Sequence, residues 1–135
     1  MIVVDTNVVA YAYIEGSKTA LAQKVHGKDP VWGLPEIWLH EFLNVLASYV
    51  LQGGLAAEEA FRIWRSASSS LAIHTRRIDM ADALRLAVST PVSGYDAQFV
   101  SLAHALGVPL VTEDKELLKN FPSTSISMRE FVSAG

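Results

Sequence analysis

The chain has 135 residues, half of them hydrophobic, with a formal net charge of −3 and no cysteine. This length predicts one domain over residues 1–135, and the acidic balance argues against binding nucleic acid through a broad basic field. The absence of cysteine excludes disulfides, and no apolar run approaches the roughly 20 residues of a membrane span. The first predicted strand begins at residue 2, which leaves no room for a signal peptide. We therefore expect a cytoplasmic protein.

The first predicted element is a buried strand that ends at a carboxylate. Residues 2–4 are apolar and rich in valine, and Asp5, Thr6 and Asn7 follow directly. An uncompensated carboxylate at the end of a buried strand is strongly unfavourable, and the first basic residue is Lys18. Asp5 therefore requires a distant basic side chain, a helix N-terminus or a metal ion. In the simpler alternative, Asp5 only caps the following helix.

Helices alternate with short strands along the rest of the chain. We predict helices over 8–14, 18–26, 35–51, 56–68, 80–90, 94–106 and 128–133, a further helix from Asp114, and strands over 31–34, 71–75, 109–111 and 124–126. Strands separated by helices predict an α/β fold of three layers, α/β/α, with a mostly parallel five-stranded sheet. Parallel strands place their carboxyl ends, and hence Asp5 and Asp114, at one edge of the sheet.

A glutamate lies on the predicted apolar face of the long helix. That face comprises Ile37, Trp38, Val45 and Tyr49, and Glu41 falls on it by helical spacing. Glutamate is rarely buried without a partner, so Glu41 is a candidate functional residue. A buried ion pair, or a rotation of the helix that exposes Glu41, is the structural alternative.

Two further carboxylates occupy helix starts and complete a set of four. Ser93 and Asp96 have the spacing of a capping box, and Asp114 can cap the helix that follows it. Together with Asp5 and Glu41 they would repel strongly, since one pair 4 Å apart is unfavourable by about 4 kcal/mol at an effective dielectric of 20. Such a cluster is stable if divalent cations occupy it or if some members are protonated. Oxygen ligands without Cys or His favour Mg²⁺ or Mn²⁺ over zinc.

Four motifs in this order resemble a known family. They are the strand ending in DTN at 5–7, Glu41 in a long helix, SGYDA at 93–97 and LVTED at 110–114. The chain resembles a PIN-domain ribonuclease of the VapC toxin type over essentially its whole length. The most specific signal combines two motifs. Tyr95-Asp96 begins a helix, and Asp114 of the threonine-x-aspartate turn follows eighteen residues after Asp96.

The resemblance implies a strand order of 3-2-1-4-5 and a set of site residues. The acidic residues that bind metal and carry catalysis would be Asp5, Glu41, Asp96 and Asp114. The accessory polar residues would be Asn7, Thr112, Thr6 and Ser93. Because Glu113 adjoins Asp114, the choice between them as fourth acidic ligand is open.

The resemblance further implies a metal-dependent endoribonuclease that uses Mg²⁺ or Mn²⁺ and is the toxin of a toxin–antitoxin pair. Its partners would be RNA and a small antitoxin, and the high mean hydropathy of +0.26 suits such a partner or a homodimer. Two alternatives are a PIN nuclease of RNA processing without an antitoxin and a non-catalytic binding module. A haloacid-dehalogenase-like phosphatase needs a second aspartate two residues after the first, where this chain has Asn7.

Overall fold

Five short parallel strands form the centre of the structure, a computed structural model that describes residues 1–135. The strands are β1 (Ile2–Val4), β2 (Trp32–Pro35), β3 (Thr75–Arg76), β4 (Leu110–Val111) and β5 (Ser125–Ile126). They lie in the order β3-β2-β1-β4-β5, and every neighbouring pair is parallel. The predicted α/β class and the strand order implied by the resemblance are confirmed.

Eight helices connect and cover these strands. They are α1 (Thr6–Tyr13), α2 (Thr19–Lys28), α3 (Ile37–Leu51), α4 (Ala57–Leu71), α5 (Met80–Ser89), α6 (Gly94–Leu106), α7 (Lys115–Asn120) and α8 (Met128–Ser133). Strands β1 and β2 are buried along their whole length, as expected for a parallel sheet covered by helices in an α/β/α arrangement. No helix combines the length and the hydropathy that crossing a membrane requires.

The order in which strands are added to the sheet reverses at β1, and this determines where a site can form. β2 and β3 extend the sheet on one side of β1, while β4 and β5 extend it on the other. In parallel sheets, ligands bind outside the carboxyl ends of the strands at such a switch point. The backbone N–H of Asp5 donates to the carbonyl of Val111 at 3.3 Å, so the ends of β1 and β4 lie side by side.

Three predicted element boundaries are wrong, each for a local reason. The helix predicted over 18–26, with Gly27 as its stop, continues as α2 to Lys28, because this glycine adopts no positive φ. Pro35 is the last residue of β2 rather than the first of a helix, since the pairing with Arg76 extends that strand. The apolar run from Leu71 finishes α4 and a short 3₁₀ turn, leaving only Thr75–Arg76 as strand. Short apolar runs do not by themselves distinguish a strand from a helix end.

The buried stripe of α3 differs from the predicted one by a small rotation. The enclosed residues are Trp38, Phe42 and Leu46, whereas Tyr49 is 43% exposed. Glu41 therefore lies at the border of the buried face, half-buried, instead of pointing into the core. This placement avoids the unfavourable burial of an unpaired carboxylate.

The buried face of α5 also differs from the one that helical spacing predicts. Met80, Leu84 and Val88 repeat at intervals of four, which predicts an inner face, yet all three are exposed. The fully buried residue is the small Ala83, and α5 packs closely along α6. Leu86 is half-buried against the core, so α5 turns Leu86 and Ala83 inward and leaves Met80, Leu84 and Val88 outside.

Candidate active site

A cavity of about 260 Å³ opens at the carboxyl edge of the sheet, where Asp5 follows β1 and Asp114 follows β4. Its lining is mostly polar and consists of Asp5, Thr6, Asn7, Glu41, Asn44, Val45, Asp96, Phe99 and Asp114. The four acidic side chains from distant parts of the chain thus face one cavity. The histidines take no part, since none of the four lines it.

Asp5 is the most enclosed of the four acids. It is 7% exposed, and its Oδ1 accepts the backbone N–H of Val8 at 3.0 Å, which caps α1. Its Oδ2 accepts a hydrogen bond from the Thr112 hydroxyl. No Lys or Arg forms an ion pair with Asp5. Asp5 is therefore a helix cap and a wall of the cavity at once, and no basic side chain compensates its charge.

The acidic side chains perturb one another. The pKa of Asp5 is raised from 3.8 to about 6, mainly by burial and in smaller part by the charges of Asp114 and Asp96, while its two hydrogen bonds oppose the shift. Burial also raises the pKa of Asp96, and the charges of Asp114 and then Glu41 add to that rise. The cavity thus concentrates negative charge that a cation would neutralise.

Asp114 and Asp5 are joined through one buried threonine. The hydroxyl of Thr112 donates to Asp5 and accepts the backbone N–H of Asp114 at 3.0 Å. Asp114 Oδ1 caps α7 by accepting the N–H groups of Glu116 and Leu117 at 2.9 and 3.1 Å. Thr112 therefore couples the ends of β1 and β4 at the level of side chains.

Glu41 is held by a hydroxyl, not by a basic group. The hydroxyl of Thr6, which is buried, donates to Glu41 Oε1 at 2.6 Å. The buried ion pair considered for Glu41 does not form, because no Lys or Arg contacts it. Asn44, three residues further along α3, lines the same cavity and received no role from the sequence. Its spacing from Glu41 was the signal that could have identified it.

Asp96 lies in the first turn of α6, whose start faces the cavity. Ser93 caps this helix by accepting the backbone N–H of Asp96 at 3.0 Å, and it does not line the cavity. The helix ends at Gly107, whose φ of +65° needs a residue without Cβ. Ser93 therefore positions the helix that presents Asp96.

Glu113 points away from the cavity, although it adjoins Asp114. Its Oε2 accepts the backbone N–H of Met128 at 3.0 Å, and its Oε1 lies 3.7 Å from Lys18 Nζ. The side chain thus binds the start of α8 and a lysine near α2. Of the two neighbouring acids, only Asp114 lines the cavity.

The cavity fits a divalent cation in its donor chemistry. The polar side chains that line it offer carboxylate, hydroxyl and amide oxygens, without thiolate or imidazole, which matches hard cations such as Mg²⁺. No three His, Asp or Glu side chains are yet gathered closely enough to hold an ion. Glu41, Asp96 and Asp114 are half-buried, so each carboxylate is accessible from the cavity. Such an ion would offset the burial, and the mutual repulsion, that raise the pKa of Asp5 and Asp96.

We expect Thr112→Val to raise the pKa of Asp5 further and to destabilise the fold. The variant keeps the shape of the side chain but removes the hydroxyl that holds Asp5 and the N–H of Asp114. Leaving these buried groups unpaired should lower the free energy of unfolding by about 1–3 kcal/mol. NMR titration of the Asp5 carboxyl carbon and urea unfolding measure the two effects. Thr112→Ser, which retains a hydroxyl, is the matched control, and equal behaviour of both variants would contradict the bridging role.

Comparisons with known proteins agree with this geometry. A family model described as PIN domain matches residues 2–122. The chain is 27% identical to Ribonuclease VapC3 of Pyrobaculum aerophilum over 126 residues, covering 90% of this chain and 95% of that protein. It also resembles the crystal structure of PAE2754 from Pyrobaculum aerophilum, with a TM-score of 0.73 and 22% identity over 97% of this chain and 92% of that chain. This last likeness supports the fold.

Proposed function

Because the chain belongs to the PIN domain family, we propose that it is a metal-dependent endoribonuclease that hydrolyses RNA phosphodiester bonds. The observation that carries this proposal is the convergence of Asp5, Glu41, Asp96 and Asp114 on one cavity. The similarity to a protein named Ribonuclease VapC3 supports RNA as the substrate. Glu41, Asp96 and Asp114 lie outside the buried core, and the crowding of four carboxylates at one site is unfavourable without a cation.

In this proposal Asp5, Asp96, Asp114 and Glu41 hold the Mg²⁺ or Mn²⁺ ions. A bound divalent cation supplies Lewis acidity toward the scissile phosphate and lowers the pKa of water. Glu41, fixed by the Thr6 hydroxyl, accepts a hydrogen bond from the attacking water and orients it in line with phosphorus.

Three accessory residues, Asn7, Asn44 and Thr112, assist the acidic residues in this proposal. The amides of Asn7 and Asn44 line the cavity and donate to non-bridging phosphate oxygens. Thr112 keeps Asp5 in place from behind. We expect products with 5′-phosphate and 3′-hydroxyl ends, as the family resemblance implies. The substrate is RNA in a single-stranded or loop region, because a splayed backbone can enter the cavity.

We further propose that this ribonuclease is the toxin of a toxin–antitoxin pair and binds a small protein partner. An apolar groove of about 430 Å³ runs between α3 and α4 and is lined by nine hydrophobic residues. Leu43, Leu51 and Phe61 in it are 58%, 87% and 65% exposed. Contiguous apolar surface of this kind marks protein interfaces, and it suits an antitoxin or a second copy of the chain. Co-expression with the product of the adjacent gene tests the pairing, and a chain that purifies alone as a monomer would contradict it.

Removal of divalent cations should abolish cleavage. We expect the purified protein to cut a labelled single-stranded RNA in Mg²⁺, to lose this activity in excess EDTA, and to regain it when Mg²⁺ or Mn²⁺ is restored, because four carboxylates without a cation repel the phosphate. Gel analysis of the RNA ends measures the reaction. Cleavage that persists in EDTA, or an RNA left intact in Mg²⁺, would contradict the proposal, and the second result would favour a binding module.

A further inference from the structure

A second cavity, of about 480 Å³, lies between α3, the end of β3 and α6, and its polar lining is mostly basic. Arg76, Arg77, His40 and Gln98 offer hydrogen-bond donors there, and Glu36 is the one carboxylate. No role in the nuclease chemistry proposed above has been given to any of these residues. We call this the basic cavity.

The basic cavity adjoins the acidic one along α3. Ile37 lines the basic cavity, and Glu41, one turn later, lines the acidic cavity. Residues four apart lie on the same helix face at a rise of about 6 Å, so the two cavities follow each other along α3. The first turns of α6 contribute to both, through Asp96 on the acidic side and Gln98 on the basic side.

The strand pairing positions the arginines at this edge of the sheet. Arg76 is the last residue of β3, paired with Pro35, and its carbonyl accepts the N–H of Glu36 at 3.1 Å. Its side chain is exposed and forms no ion pair, whereas Arg77 Nε lies 3.4 Å from Glu36 Oε1. The cavity therefore contains the guanidinium of Arg76, which has no ion-pair partner, and that of Arg77, which pairs with Glu36. The strand pairing holds the backbone of Arg76, which adjoins Arg77.

We propose that the basic cavity is a nucleotide subsite, which binds the nucleotide of single-stranded RNA next to the scissile phosphate. This inference rests on the proposed function. A polyanion that approaches four carboxylates in a chain of net charge −3 needs local positive charge. The planar guanidinium of Arg76 can bind two phosphate oxygens at once.

The remaining lining suits the other parts of a nucleotide. Ile37, Ile78 and Met80 give the basic cavity an apolar wall, against which the apolar face of a base can be buried. His40 and Gln98 can donate to the sugar or to the base edge. The volume lies within the range of about 300–1,000 Å³ that is typical of small-ligand sites.

Binding of a labelled single-stranded RNA to the full chain tests the subsite. In an Asp96→Asn background with Mg²⁺, which blocks cleavage, we expect Arg76→Gln to raise the Kd about tenfold and Arg76→Lys to raise it less. The slope of log K against log salt should fall by about 0.7 for Arg76→Gln, as for the loss of one phosphate contact on a single strand. Fluorescence anisotropy across a salt series measures both. Glu36→Gln should tighten binding, because it frees Arg77.

Arg129→Gln is the matched control. It removes the same charge from an exposed arginine on α8, which lines neither cavity, and should leave both values unchanged. If Arg76→Gln matches this control, or if the protein binds no RNA, the subsite is overturned. Cleavage by the otherwise unaltered chain is scored separately. Binding that depends on Arg76 without any cleavage would support the subsite and contradict the nuclease proposal. Cleavage together with binding that does not depend on Arg76 would support the nuclease and overturn the subsite.

Discussion

We expect Asp5→Asn to reduce Mg²⁺-dependent RNA cleavage by at least about 1,000-fold, because a lost metal ligand removes several kcal/mol of transition-state stabilisation. The substitution keeps the size of the side chain and an oxygen that can still cap α1 at Val8. The fold should therefore persist. Initial rates on a labelled RNA at saturating Mg²⁺ measure the loss.

The same variant should be more stable than the unaltered chain when metal is removed at neutral pH. The folded pKa of Asp5, about 6, lies above its unfolded value of 3.8, so folding favours the protonated acid. The stability that this group contributes is fully present below about pH 4 and is lost as pH rises through 6, with a total of about 3 kcal/mol. The asparagine does not ionise and avoids this loss.

Urea unfolding in EDTA at two pH values separates the contribution of Asp5 ionisation from that of the other titrating groups. The difference in free energy of unfolding between Asp5→Asn and the unaltered chain should be near zero at pH 4 and clearly stabilising at pH 7.5. Asp79→Asn is the matched control, since Asp79 also caps a helix but lies outside the acidic cavity. Unaltered cleavage by Asp5→Asn, or its failure to fold, would mean that Asp5 is only a structural cap.

The second large effect is expected at the start of α3, where Trp38→Ala should lower the free energy of unfolding by about 3–5 kcal/mol. Trp38 is fully buried, and its ring centroid lies 5.7 Å from that of Phe42. Its Nε1 donates to the Thr75 hydroxyl at 2.9 Å, which ties α3 to β3. Truncation leaves a cavity and removes this tie. Urea unfolding at pH 7.5 measures the change.

Two control substitutions divide this loss into packing and hydrogen bonding. Thr75→Val removes the acceptor of the indole hydrogen bond and should lower stability by about 1–3 kcal/mol, since the buried N–H is then unpaired. Phe61→Ala removes an aromatic ring that is 65% exposed and should change stability far less. If Trp38→Ala is no more destabilising than Phe61→Ala, the ring does not anchor α3.

Several features of the fold could be predicted from local sequence. The apolar residues 2–4 predict the first strand, and alternation of short strands with helices predicts a parallel sheet. A parallel sheet brings all its carboxyl ends to one edge, so Asp5 and Asp114 were expected to meet there. The strand order itself came from the resemblance to PIN-domain proteins, because helical and strand periodicity carry no information about which strands are neighbours.

Composition and short-range pattern are sufficient to show which residues carry charge and at which end of each element they stand. Tertiary packing alone decided where the side chains point. It placed Asp114 at the cavity and turned Glu113 toward Met128, and it rotated α3 so that Glu41 reaches the border of the core. Neighbouring positions on α3 differ by about 100°, so a small rotation, set by distant contacts such as that of Trp38 with Thr75, changes which side chain enters the site. Glu113 and Asp114 precede α7, and their directions are set by the backbone N–H groups that each accepts.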